Sequence, residues 1–229
     1  MPGNGSRKGG SVVTLLILRL EGVLQSWGIR SRFDSRDSGP LPTKSGVIGL
    51  IACAMGLPRG DERILELSKR LRMGVRADRP GTLMVDFHTV TGERGYLFCA
   101  GGGKRVGEPT LLTPRQYLED ASFTVALAGD EALLRACADA LQSPRWQTYL
   151  GRKSCVPTRP VFEALTNEYR DIENALRRVS PCPTAAGKTF VCELDHDAGD
   201  RVRRDVVRVS GLDYGTRRVS QFPIEIQGG

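Results

Sequence analysis

Histidine is scarce in this chain of 229 residues, which carries only His88 and His196. The sequence has no Gly-x-Ser-x-Gly elbow, no His-Glu-x-x-His pair, no phosphate-binding loop and no dinucleotide fingerprint. Those absences remove the usual signatures of serine hydrolases, zinc proteases, nucleotide hydrolases and dehydrogenases. Asp195, His196, Asp197 and Asp200 read as a solvated acidic turn, so no metal and no cofactor is expected. The six cysteines include no Cys-x-x-Cys pair and no accompanying histidine pattern for zinc. They read as small core residues, not disulfides. The longest apolar runs, 12–18 and 47–57, fall short of the ~20 residues a spanning helix needs. The polar start, residues 1–10, lacks the apolar centre of a signal peptide. A cytoplasmic location is the expectation. There is no internal repeat and no coiled-coil heptad.

What is present is positive charge. Lys and Arg outnumber Asp and Glu by 33 to 26, giving a formal net charge of +7 and a pI near 9.3. A surplus of this size attracts polyanions, with nucleic acid the usual partner.

Periodicity predicts strands over 12–20, 73–77, 83–90 and 122–128, and helices over 45–55, 61–71 and 130–141. Thr43 or Ser45 can cap the first helix. Its Gly46, Gly49 and Ala52 share a face suited to close approach to a sheet. Residues 21–39 read as a loop and 92–118 as irregular. Residues 161–176 read as weakly helical, 190–194 and 202–209 as a hairpin, and 212–229 as a polar tail. The order points to an α+β fold, a ferredoxin-like or RRM-like core with a β-rich C-terminal extension. The domain reading is a lead-in over 1–11, a core over 12–90 and 119–210, an insertion over 91–118 and a tail over 211–229.

Four segments mix cations with aromatic rings: 27–36, 115–117, 145–149 and 152–153. Single-stranded RNA is held by that mixture, because cations track phosphates while flat side chains stack on bases. The start of the first helix, with Lys44 and Ser45, offers free N–H donors to a phosphate. The binding candidates are Lys44, Ser45, Arg115, Tyr149, Arg152, Lys153, Trp27, Arg30, Arg145 and His88. Trp27, Trp146 and Tyr149 read equally well as core aromatics. A metal-free ribonuclease using His88 with Lys104, Tyr117 or Lys153 stays open.

Several motifs occur in order. They are Leu18-Arg19-Leu20-Glu21-Gly22, Leu24-Gln25-Ser26-Trp27-Gly28, residues 42–50 (Pro-Thr-Lys-Ser-Gly-Val-Ile-Gly-Leu), His88-Thr89-Val90 with Gly92, and Tyr117-Leu118. After them come residues 120–127 (Asp-Ala-Ser-Phe-Thr-Val-Ala-Leu), Pro144-Arg145 and residues 149–155 (Tyr-Leu-Gly-Arg-Lys-Ser-Cys). This series resembles the CasD family of type I-E CRISPR Cascade subunits over residues 15 to about 160. The resemblance implies a repeat-associated protein with an RRM-like core and a thumb at 91–118. Such a subunit binds the 5′ handle of crRNA without catalysis and caps the backbone filament. It also adjoins the large subunit, and the assembled particle engages target DNA. A related subfamily is itself a metal-independent ribonuclease that processes repeat RNA, which supplies the alternative.

Overall fold

The computed structural model describes residues 13–29, 36–91, 96–98, 104–106, 110–185, 187, 189–207 and 214–226. Arg30, the Gly-rich stretch 101–103 and the lead-in 1–11 lie outside them.

Strand β1, Leu15–Glu21, is a run of Leu and Ile buried through Leu20. Alternation sends Leu16, Leu18 and Leu20 to one core and Leu15 and Ile17 to another, so the strand is covered on both faces. It joins an antiparallel sheet with β3 (Arg72–Arg79), β8 (Ser122–Ala128), β9 (Phe162–Thr166), β10 (Thr189–Asp195), β11 (Arg201–Val206) and β12 (Gly215–Glu225). The strand order is β11-β12-β10-β3-β8-β1-β9.

Helices α1 (Lys44–Met55), α2 (Glu62–Arg70) and α3 (Glu131–Gln142) contribute to the larger core. Helix α4 (Ile172–Arg178) covers the other face. Its C-terminal carbonyls are caught by a charged cluster within the sheet. Arg76 donates to the Leu176 and Val179 carbonyls and, with Arg19, to the Asp78 carboxylate. Asp78 also accepts from Thr124 Oγ1 at 2.9 Å and the Cys182 N–H at 3.1 Å.

Helix α1 opens on Thr43, whose hydroxyl accepts from the Gly46 N–H at 3.2 Å. It closes on Gly56 at φ 71°, a left-handed cap. Gly46 is needed for packing, since a Cβ there would lie 2.8 Å from the Trp27 ring. Gly49 is exposed with nothing within 4 Å of its Cβ position, so of the expected small-residue face only Gly46 and the buried Ala52 are packed.

Four other expectations change. Residues 110–119 are regular: β7 (Thr110–Glu119) pairs with β4 (Thr82–Thr91) residue for residue from Thr82↔Glu119 to Thr91↔Thr110. Ten residues at ~3.4 Å each make an arm of roughly 30 Å. At its base it gains a two-residue strand, β2 (Leu24–Gln25), and about halfway along an Arg36–Arg115 bridge. Strands β5 (Tyr96–Phe98) and β6 (Lys104–Val106) pair with each other within the insertion. Residues 161–176 divide into β9 and α4. Strands β10 and β11 do not pair with each other, because β12 lies between them. Within the predicted tail, Gly215–Glu225 is therefore an interior strand of the sheet. Its polar pattern has a physical cause: Arg217 is buried among carboxylates, so charge replaces apolar alternation.

Candidate nucleic-acid interface

The turn 149–154 lies between α1 and the base of the β4–β7 arm. Its backbone is pinned: the Ser26 N–H donates to the Leu150 carbonyl at 3.0 Å, and the Leu150 N–H to Cys155 at 2.7 Å. Gly151 adopts φ 91°, and a Cβ there would fall 1.7 Å from the Ser26 carbonyl oxygen. Only glycine allows that approach.

Arg152 is the fastener. Its Nη1 donates to the Gln116 carbonyl at 3.1 Å, and its Nη2 to Arg36 at 2.9 Å and to Asp37 at 3.4 Å. The guanidinium also lies 4.7 Å from the centroid of the Tyr117 ring. Donors of the half-buried Arg152 are directed at backbone carbonyls, so this side chain fixes the turn, whatever part it takes in the phosphate contact expected of it.

The next residue differs. Lys153 is exposed, and its charge acts on Cys53 of α1. Burial pushes the Cys53 thiol up, and Lys153 pulls it partly back. The Cys53 thiol donates to the Gln147 carbonyl at 3.3 Å, and the Arg145 N–H to the Ala54 carbonyl at 2.8 Å. The segment 145–155 thus lies along the C-terminal half of α1. It presents exposed Arg145, Trp146 (44% exposed) and Lys153, with Tyr149 half-buried beside them.

The start of α1 is already occupied. The Lys44 N–H donates to Asp205 Oδ2 at 2.8 Å, and Lys44 Nζ to Asp195 Oδ2 at 3.0 Å. Lys44 is buried, and the half-buried Ser45 hydroxyl donates to Thr43 Oγ1 at 3.4 Å. The protein's own carboxylates fill the place expected for a phosphate. Arg217 completes the cluster, donating to Asp205 at 2.7 and 2.8 Å, to Glu193 at 3.1 Å, and to Asp195. Burial alone would push its guanidinium down. Asp205, then Asp195 and Glu193, hold it above its ordinary value.

Trp27 is 1% exposed, with its indole N–H donating to Gln25 Oε1 at 3.1 Å, which makes it a core residue. His88, on β4, is half-buried with its Nε2 against the Asp86 carboxylate. Arg115 is half-buried opposite Asp86 and donates to Thr113 Oγ1 at 3.4 Å. Tyr117 is 3% exposed beneath Arg152, closed off from a substrate. No metal-binding group of three or more acidic, Cys or His residues occurs among the described residues. No described helix is long and apolar enough to cross a membrane. The Arg217 cluster escaped sequence reasoning because its members come from α1, β10, β11 and β12, with Lys44 and Asp195 separated by 151 positions.

Residues 15–220 match the family model described as CRISPR-associated protein (Cas_Cas5). The CRISPR system Cascade subunit CasD of Escherichia coli (strain K12) is 36% identical over 176 residues, covering 72% of this chain and 77% of CasD. A chain of a solved CRISPR RNA-guided surveillance complex superposes with a TM-score of 0.72 at 36% identity, covering 93% of this chain and 90% of its own. A crystal structure of a Cas protein gives 0.70 at 34% identity, covering 94% and 98%. The α+β architecture is thus one built by CRISPR-associated proteins. The chain belongs to their Cas5 family.

Proposed function

We propose that this chain is a non-catalytic, CasD-type subunit of a type I-E Cascade ribonucleoprotein. Its partners are crRNA, the backbone and large subunits and, in the assembled particle, target DNA. The kinship with CasD and with the surveillance-complex chain supports this reading. The core is ferredoxin-like, a reading supported by the order β9-β1-β8-β3 with α1 and α3 in the crossovers. The insertion 91–118 forms the thumb, a reading supported by the pairing of its β7 residues with β4, and the particle is cytoplasmic.

The 5′ handle of crRNA lies against the outer surface of the 145–155 segment. The observation that carries this is the exposure of Arg145, Trp146 and Lys153 on one segment whose 149–154 turn is fixed by Arg152. Cations there track the phosphates, and the indole stacks on a base. Arg115 reaches the same strand from the arm. Photo-crosslinking of a handle containing 4-thiouridine, in the purified complex, is expected to label this segment. Labelling confined to other surfaces of the chain contradicts the placement. Repeat RNA incubated with the chain in chelator is expected to stay intact, and site-specific cleavage abolished by His88→Ala would instead establish a processing ribonuclease.

A further inference from the structure

A second basic surface lies at the other end of α1. Residues Lys44 and Cys53 mark the two ends and stand about 13 Å apart along the helix axis. Beside Lys44 is an open cleft of about 490 Å³ between the end of α2, the start of β3, the turn after β10, and β12. Its exposed cations are Lys69, Arg72 and Arg218, with His196 among them. The buried Lys44–Asp195 pair borders it and cancels itself.

Two of these side chains are held in place. Arg72 Nη2 donates to the Asp195 carbonyl at 3.0 Å, and Arg218 Nη1 to the Gly199 carbonyl at 3.0 Å. The turn that supplies both acceptors is closed by the Gly199 N–H on the His196 carbonyl and anchored by the His196 N–H on the Arg218 carbonyl. Each guanidinium has five donors, so most remain for a ligand. The opposing carboxylates are weak competitors, and Glu66, 3.4 Å from Lys69, forms with it an exposed pair that water screens. Asp195 already accepts from Lys44, the Met73 N–H and Arg217. Asp197 is 97% exposed and 3.6 Å from Arg72, so water screens it.

We infer that this cleft is a second polyanion site that takes the phosphodiester backbone of a nucleic acid, apart from the surface proposed for the handle. Guanidiniums on two different strands, each oriented by a carbonyl, suit successive phosphates on one backbone. The apolar lining residue, Leu71, is buried, so the cleft offers charge without the apolar anchor that protein interfaces centre on. That favours nucleic acid over an acidic protein partner.

The test uses the full chain with the handle surface silenced by R145Q/K153Q, so the result does not depend on that surface. Short fluorescent single strands of RNA and of DNA, unrelated to the repeat, are titrated at several salt concentrations. Residual salt-dependent binding is expected. Adding R72Q/R218Q is expected to lower the log–log salt slope by ~1.4, or ~0.7 per phosphate contact. R72K/R218K is expected to keep most of the slope. Loss with RNA alone assigns the guide, and loss with DNA alone assigns target DNA. An unchanged slope with both strands overturns the inference, as does an unchanged slope combined with impaired binding of a Cascade subunit. If the double variant melts early, the single R218Q is measured instead, with half the loss expected.

Discussion

The two ends of α1 carry the same kind of sequence and do opposite things. At the N-terminal end, Lys44, Asp195, Asp205 and Arg217 neutralise one another in the interior. Along the C-terminal half, Arg145 and Lys153 stand in solvent on a segment whose 149–154 turn is fixed by a third cation, Arg152. A basic residue near a helix start is a phosphate site only when no internal carboxylate has reached it first. Burial and partners separate the two cases, and residue type does not.

Four predictions sharpen the contrast. The largest effect is expected from Arg217→Ala, which takes the buried cation from Asp205 and leaves Glu193 with Arg203 alone. Breaking a buried ion network of this kind costs ~3–5 kcal/mol, read as a lower midpoint in denaturant unfolding. Next is Arg152→Ala, which removes three carbonyl bonds and the contact with Tyr117. Its expected cost is ~2 kcal/mol of stability, with RNA affinity falling as a consequence of a loosened turn. By contrast, R145Q/K153Q is expected to change stability by no more than ~0.5 kcal/mol, because these cations make no described ion pair and stand in solvent. The same variant lowers the salt slope for handle RNA by ~1.4. A large loss of stability in this variant would erase the distinction between its two ends. Smallest is the effect on Cys53. Lys153→Gln removes the charge that lowers its thiol pKa, so alkylation at fixed pH slows modestly. Cys137 and Cys192, pushed up to about 11 and about 12 by burial, are expected to stay unreactive in both proteins.

Local pattern carried much of the fold. The Leu-rich β1 and the β8 run are readable as continuous apolar runs buried on both faces, and α2 and α3 as helices that bury one face of period 3.6. Strand β7 was hidden by Pro114, and its ladder to β4 is a property of the pair. Strand β12 was hidden by Arg217, whose carboxylate partners lie on other strands, and by Arg218, which donates to the Gly199 carbonyl in the turn after β10. At the candidate site, the exposed Arg145 and Lys153 were visible in sequence as cations beside aromatics. The use of Arg152 as a fastener was not, since its acceptors are the backbone carbonyls of residues 36, 37 and 116, more than thirty positions away.

The central claim is that the handle is held beside the C-terminal half of α1 and not at its start. A density map of the assembled particle, read around the guide RNA, tests this most directly. The account predicts handle phosphates within hydrogen-bond distance of Arg145 and Lys153, a base against Trp146, and Asp205 still on the Lys44 N–H. A phosphate seated at the start of α1 in place of Asp205, with the 145–153 surface empty, would contradict it.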